Sequence, residues 1–393
     1  MGTLTKHLRI SLAIVFILAS GTTPGAQKLV VPGGFTNDKS LPIPVSIEGF
    51  PPEITAILTF DLKVAGCIIG PEGESQFRLN GKLNGSKIEG HLTDAAGKSL
   101  ISKVYQGAKT RTLTHAFAND VILKATGTPG IASTRVAFKN RNRGKGEIFI
   151  MDYDGHGLVQ ATRDGSIVAA PSWGIGNRYL FYTLYALGNP DIFSHNLSNG
   201  KRIPIVRLAG SNLTPVPSPN GRKLAMVLSK SGSPNLYVAD MNGKNLRRLT
   251  HIRDGVSSPT WSPDGQWICY TSREAGPARL FKIRASGGSS QRISTVGAGP
   301  ATEPDWSPDG KTIAFTTQSR SGFTLCTVPA AGGKVEFLVA GEDPSWAGNS
   351  RTMMFVKRRA DQTYLLSILD VPTKQVNDVP LRLGNASQPA WAR

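Results

Sequence analysis

From about residue 135 onward the apolar residues fall in short runs between turn formers, and the arrangement repeats. A proline stands two places before an aromatic or equivalent residue in Pro171-Ser172-Trp173, Pro215-Val216-Pro217, Pro259-Thr260-Trp261, Pro304-Asp305-Trp306, Pro344-Ser345-Trp346 and Pro389-Ala390-Trp391. The third residues of these units lie 44, 44, 45, 40 and 45 positions apart, the spacing of a repeat architecture. Two units continue as Trp-Ser-Pro-Asp-Gly (261–265 and 306–310) and a third as Pro-Ser-Pro-Asn-Gly (217–221). Proline presets φ and glycine accepts positive φ there, so each run ends in a tight turn. β-rich runs follow at Tyr179–Thr183, Leu224–Leu228, Ile268–Thr271, Ile313–Thr316 and Met353–Val356, then third strands such as Asn235–Ala239 and Arg279–Ile283. Fourth strands end as Arg248-Leu249-Thr250 and Arg292-Ile293-Ser294. Four strands per ~40–45 residues make one propeller blade.

The ends of the array complete each other. Residues 135–140 read as a second strand with no first strand before them, and 389–391 as a first strand with nothing after. Joined, they form one blade, close the ring and remove sheet edges that would pair with other chains. The recurring tryptophans and turn aspartates read as architecture, packing blade on blade and capping turns. Residues 27–134 lack the repeat. They predict a strand over Leu41–Ile47 and a helix over Pro51–Ala65, with Ile54, Ile57, Leu58 and Leu62 on one face. A hairpin follows around Asn84-Gly85 (Phe77–Leu83 and Lys87–Thr93), then a strand over Leu100–Tyr105. A second helix, Thr112–Ala125, carries Leu113, Ala116, Phe117, Val121 and Ile122. The expected fold is mainly β: a six-bladed β-propeller over 135–393 behind a small N-terminal α+β domain (27–134).

Composition adds a destination. Lys6 and Arg9 precede a short apolar stretch, Ile10–Ala19, and small residues run from Ala19 to Ala26. The stretch is shorter than the roughly 20 residues a bilayer span needs, so residues 1–26 read as a secretory signal peptide. Cys67, Cys269 and Cys326 are too few and too scattered for a disulfide framework. They are expected as buried thiols, with at most one bridge. His91, His115, His156, His195 and His251 show no paired metal-ligand spacing, and no Gly-x-Ser-x-Gly elbow occurs. No cofactor, metal or catalysis is expected. The formal charge of +18 suggests an anionic partner. Export and the lack of basic stretches interleaved with aromatics argue against nucleic acid.

Blade topology assigns the loops to faces. Connections between a fourth strand and the next first strand meet at one mouth of the ring, near its axis, while the Pro-Asp-Gly turns occupy the opposite face. The inner loops carry Ser211, Asn212, Ser257, Ser258, Thr302, Glu303, Glu342, Asp343, Ser387 and Gln388, small and polar groups that would leave a funnel for a partner. The outer loops of the same face carry Lys139, Arg141, Arg143, Lys145, Lys230, Arg273, Arg320, Lys357, Arg358 and Arg359, against only Glu274 and Asp361. Such a rim would steer an acidic partner into the funnel.

The six Pro-x-Trp and Ser-Pro-Asp-Gly units, the stretch Leu228–Asp240 and the order of a small α+β domain before the ring together resemble the TolB family, periplasmic propeller proteins of the Tol-Pal envelope system. The resemblance covers the chain beyond the signal peptide. It implies a monomeric periplasmic scaffold that binds Pal, the peptidoglycan-associated lipoprotein, at the propeller mouth. An extended N-terminal tail, Gln27, Lys28, Leu29, Val30 and Val31 onward to about Thr36, would engage the inner-membrane protein TolA. The role implied is support of outer-membrane integrity and of constriction at division. The alternative is a secreted propeller enzyme acting on oligosaccharides or peptides.

Overall fold

The computed structural model describes residues 40–393 apart from Arg143, Ala275 and Ser321. Residues 1–26, expected as a signal peptide, the expected tail from Gln27 to Val31 and the rim residue Arg143 therefore lie outside the described residues. The first domain contains strand β1 (Ile43–Glu48), helix α1 (Pro52–Val64), strands β2 (Cys67–Ile69), β3 (Phe77–Asn84), β4 (Lys87–Asp94) and β5 (Ser99–Tyr105), and helix α2 (Thr110–Thr126). Its sheet runs β2-β1-β3-β4-β5, with β1 parallel to both neighbours and β3–β4 the expected hairpin. Val45, Leu79, Ile88 and Leu92 from the sheet meet Ile54, Leu58 and Leu62 of α1 and Phe117 and Val121 of α2 in one core. Full burial of a side chain such as Phe117 (0% exposed) stabilises by roughly 1.5–3 kcal/mol. Helix α2 begins at Thr110, before the expected Thr112, and stops at Gly127. There a left-handed φ of 69° lets the Gly127 N–H donate to the Leu123 carbonyl. The three-residue β2 follows the helix too closely for a periodic pattern to reveal it.

Six four-stranded antiparallel sheets follow. Their innermost strands are Val168–Trp173, Asn212–Pro217, Val256–Trp261, Ala301–Trp306, Glu342–Trp346 and Ala386–Trp391, here numbered as blades one to six. Blade six combines Ala386–Trp391 with Arg135–Asn142, Lys145–Asp152 and Val159–Gln160, the closure expected from the two half-blades. Trp261, Trp306, Trp346 and Trp391 are buried, as packing between blades requires. Trp261 Nε1 donates to the Val216 carbonyl (2.9 Å) and Trp173 Nε1 to the Ala390 carbonyl (2.8 Å), each on the preceding blade. In the turns, Asp264 accepts the Gln266 N–H and Asp309 the Lys311 N–H, as Asn220 accepts the Arg222 N–H. All three cysteines are free and buried, and burial pushes the Cys67 and Cys326 thiols up to about 12, which keeps them unreactive.

The two domains share a core. Val64, Ile131 and Ala132 pack with Val136, Tyr153, Met354 and Trp391 of the propeller. At the same boundary Arg351 Nε donates to Asp370 (2.5 Å), both residues buried, and Asp370 also accepts the Thr373 hydroxyl. Gly66, with φ of 85°, lies directly over this pair: a Cβ there would come within 2.5 Å of Asp370 and 2.8 Å of Arg351. No helix among the described residues is long and apolar enough to cross a membrane.

Candidate functional site

Each innermost strand bends at the residue before its proline. Ala170, Thr214, Ser258, Glu303, Asp343 and Gln388 all have φ between 46° and 54°, and pairing with the second strand shifts register at the same point in every blade. A non-glycine residue in this region costs on the order of 1–3 kcal/mol, so the ring needs compensation. Part of it comes from side chains of adjacent blades. The Asp343 N–H donates to Glu303 Oε2 (3.1 Å), the Gln388 N–H to Asp343 Oδ2 (2.9 Å) and the Ala170 N–H to Gln388 Oε1 (2.9 Å). The Thr214 N–H donates to Thr183 Oγ1 (3.1 Å). A relay thus runs from blade four through five and six to blade one.

A second layer lies one step along the strands, at the middle residue of each Pro-x-Trp unit. The Trp306 N–H donates to Thr260 Oγ1 (3.3 Å), the Trp346 N–H to Asp305 Oδ2 (2.7 Å) and the Trp391 N–H to Ser345 Oγ (3.0 Å). Asp305 also receives the Arg393 guanidinium, which donates further to the Trp346 and Trp306 carbonyls. Sequence reading missed both layers. The cue was present, a proline fixed at the same place in every blade, but the bond partners belong to other blades.

Between these layers and the turns runs a cavity of about 550 Å³, lined by the bent ring, the Pro-x-Trp residues and Ile175, Pro219, Pro263 and Pro308 of the turns. Its wall is uneven in charge. Blades four and five contribute Glu303, Asp305 and Asp343, whereas blades one to three present Ser172, Val216 and Thr260. Burial, reinforced by the Glu303 carboxylate, pushes Asp343 up to about 8, and burial with Glu303 also raises Glu342. Lys139, half-buried, is lowered by burial and by Arg141, an effect the Asp343 carboxylate opposes. Asp343 therefore holds its proton in the folded protein at pH values where it would be ionised in the unfolded chain. Stability should fall as pH rises from the ordinary value of 3.8 through about 8. Chemical denaturation across that range should show the fall, and Glu303→Gln should reduce it; a flat wild-type profile contradicts a retained proton.

The expected mouth residues divide. Ser258, Glu303, Asp343 and Gln388 line the cavity; Ser211, Ser257, Thr302, Glu342 and Ser387 stand on the loops and strands above it with some exposure. Asn212 does not face a partner. It is 0% exposed, and its amide donates to the carbonyls of Pro190 and Leu208 and to Asp191. It folds its own loop because that loop leaves main-chain acceptors with no strand partner. On the rim Arg141, Lys145, Arg273, Arg320, Arg358 and Arg359 are exposed. Lys357 is tied to Asp378 (3.0 Å), Lys230 lies over the Tyr237 ring, and Lys139 belongs to the mouth itself.

Among the described residues, one group of histidine and carboxylates is close enough to consider for a metal: Asp61, His115 and Asp154. Asp61 meets the Nδ1 edge of the imidazole and Asp154 lies on the Nε2 side, with one ligand atom of each within 4.8 Å of the others. Arg111 already neutralises Asp154.

The geometry defines a class: a six-bladed β-propeller with a small α+β domain fixed to its ring, and a channel mouth of opposed charge. Within that class, the family described as the TolB β-propeller domain matches residues 123–393, and the chain belongs to it. The TolB homolog of Chlorobium chlorochromatii (strain CaD3) is 32% identical over 188 residues, 47% of this chain and 42% of that protein. The Tol-Pal system protein TolB of Anaeromyxobacter dehalogenans (strain 2CP-C) is 30% identical over 196 residues, 49% of this chain and 45% of that one. The matched stretch is thus less than half the length of either relative. The crystal structure of TolB from Acinetobacter baumannii superposes with a TM-score of 0.81 over 90% of this chain and 97% of its own, at 21% identity. A putative TolB from Agrobacterium tumefaciens aligns with a TM-score of 0.52 over 64% of this chain and 91% of its own. These superpositions are likenesses of fold.

Proposed function

We propose that the protein is a periplasmic, non-catalytic scaffold of the Tol-Pal system. Pal docks at the propeller mouth, the segment from Gln27 to about Thr36 engages TolA, and the assembly supports outer-membrane integrity and constriction at division. Residues 27–134 act as the tail-bearing domain and 135–393 as the Pal-binding ring. Membership of the TolB family and the name carried by the Anaeromyxobacter relative support the system. The observation that carries the docking site is the charge pattern of the mouth. Exposed Arg141, Lys145, Arg273, Arg320, Arg358 and Arg359 stand around a mouth that holds the Glu303 and Glu342 carboxyl groups and Asp343, the last keeping its proton.

Such a rim accelerates encounter with an acidic face and selects against basic proteins, and its effect fades as salt shortens the Debye length to ~8 Å or less. Calorimetric and stopped-flow titration of the chain with the soluble domain of Pal from the same organism tests the reading. Saturable binding is expected. Arg358→Glu with Arg359→Glu should slow association by about tenfold at low salt and much less at high salt. Tight binding that ignores both salt and these charges would keep Pal as partner and discard the rim. No binding would discard the docking proposal.

A further inference from the structure

Between blades two and three the turn face carries a second cavity, of about 280 Å³, whose lining shares only Ser218 and Trp261 with the channel wall. Its floor is apolar, formed by Val238 of blade two and the Trp261 ring of blade three, both buried. Its rim is polar and exposed: Asn220, Lys223, Asn245 and Arg247 from blade two, and Ser286 from blade three. The next space along the ring shows why this one is open. Counted from the serine that begins each turn, Ser218 or Ser262, Lys223 stands where blade three has Trp267. Trp267 and Ala330 pack against the core shared by blades three and four. Lys282 lies over the Trp267 ring, 5.4 Å from its centroid, and its Nζ donates to the Ala330 carbonyl at 3.0 Å. Val238 takes the place of Lys282 in blade two, since Val238 pairs with Arg247 as Lys282 pairs with Gln291. A lysine in place of the ring and a valine in place of the lysine leave the space between blades two and three unfilled.

The rim donates more than it accepts. The Arg247 guanidinium gives one bond to the Ser286 carbonyl (2.5 Å) and one to the Ala285 carbonyl (2.6 Å), which leaves three of its five N–H groups for another acceptor. Asp240, the acid beside the rim, is already taken. It accepts the Lys223 ammonium at 2.7 Å on one oxygen and the Asn245 amide at 2.6 Å on the other, and these bonds hold its carboxyl below the ordinary value. Asn220 spends its side-chain oxygen on the Ser218 hydroxyl and the Arg222 N–H, so its remaining capacity is the NH2 donor. Over the turns 218–223, 240–247, 262–267 and 284–288 the cations are Arg222, Lys223, Lys244, Arg247 and Arg284, against Asp240 and Asp264. A net positive, donor-rich rim over an apolar floor selects an oxyanion carried on a compact body. The volume of about 280 Å³ is several times the roughly 30 Å³ of a water molecule, more than a phosphate group alone fills. Guanidinium, ammonium and amide together supply enough donors for all three oxygens of a phosphomonoester, whereas a carboxylate offers only two.

We propose that the cavity between blades two and three binds a small phosphomonoester, with the phosphate held by Arg247, Lys223 and Asn220 and the carbon body seated over Val238 and Trp261. The site lies on the face opposite the mouth and does not depend on Pal. Calorimetric titration of the full chain with glycerol 3-phosphate tests it. Saturable binding with a Kd below about 1 mM is expected, with inorganic phosphate weaker by about fivefold for want of a body to cover the floor. Glycerol alone should give no saturable heat. Arg247→Gln should weaken binding by about tenfold or more, since it removes charge-assisted bonds from an exposed residue that the fold does not need. Lys223→Trp places in this space the ring that fills the next one, and should abolish binding while the protein still melts cooperatively. Should that variant fail to fold, Arg247→Gln still decides. Sedimentation with phosphatidylcholine vesicles, with and without phosphatidic acid, separates the two sources of such a group. Recruitment by phosphatidic acid that Arg247→Gln removes assigns the site to a lipid headgroup; binding of the soluble ester without recruitment assigns it to a free ester. Neither recruitment nor saturable heat up to about 10 mM ester overturns the proposal, as does binding undiminished in either variant.

Discussion

A chain cut after Asn385 should not form a closed ring, and the expected loss exceeds the whole ~5–15 kcal/mol stability typical of a folded domain. The missing strand pairs Ala386 with Asn140, Ser387 with Lys139, Ala390 with Ala137 and Trp391 with Val136. Without it the second strand of blade six becomes an unpaired edge facing the channel. Trp391 alone is 3% exposed and stacks on Tyr153, and its Nε1 donates to Thr134 Oγ1 at 2.8 Å. Truncating one such buried tryptophan costs about 3–5 kcal/mol, and the deletion also removes the Gln388 and Arg393 bonds that link blades four, five, six and one. Circular dichroism and size-exclusion chromatography should show a broad, weakly cooperative melt and aggregation. A sharp melt near the full-length value would mean that closure by this strand is dispensable.

Asp370→Ala should destabilise the protein by about 3–5 kcal/mol, because it leaves the Arg351 guanidinium buried without its counter-charge. The aspartate is 0% exposed, and beyond Arg351 it holds the Thr373 hydroxyl. The position of Gly66 over the pair transmits the effect to the domain boundary. Chemical denaturation gives the number. The double variant Arg351→Met with Asp370→Leu separates net worth from the penalty of an orphaned charge: it should recover most of the loss. Equal losses in the single and double variants would assign the effect to packing instead.

Much of the molecule is legible in order along the chain. Blade number, closure and the inner and outer loops follow from proline, tryptophan and glycine at fixed intervals, because turns and inter-blade packing are set by residues close in sequence. The helices were visible for the same reason. Ile54, Leu58 and Leu62 recur at helical spacing, and all are buried. Given the strand order, the rim charges are expected on one face.

The channel bonds and the buried contacts between the two domains were not legible, and one physical cause serves for both. Glu303 is paired with the backbone of Asp343, 40 positions away, and Gln388 with Ala170, 218 positions away. Asp61 finds His115 after 54 positions and Tyr153 after 92. Periodic patterns report which way a side chain faces, not which distant group compensates it. In the sequence Asn212 looked like a mouth residue and His115 like one of several scattered histidines. The sequence by itself determined the two helices, the hairpin and the blades, with their number and order, through local backbone preference and apolar period. Only the tertiary structure decided which polar groups are exposed to a partner and which are consumed in holding the ring together, because a buried charge or hydrogen-bonding group is satisfied by whatever folding brings beside it.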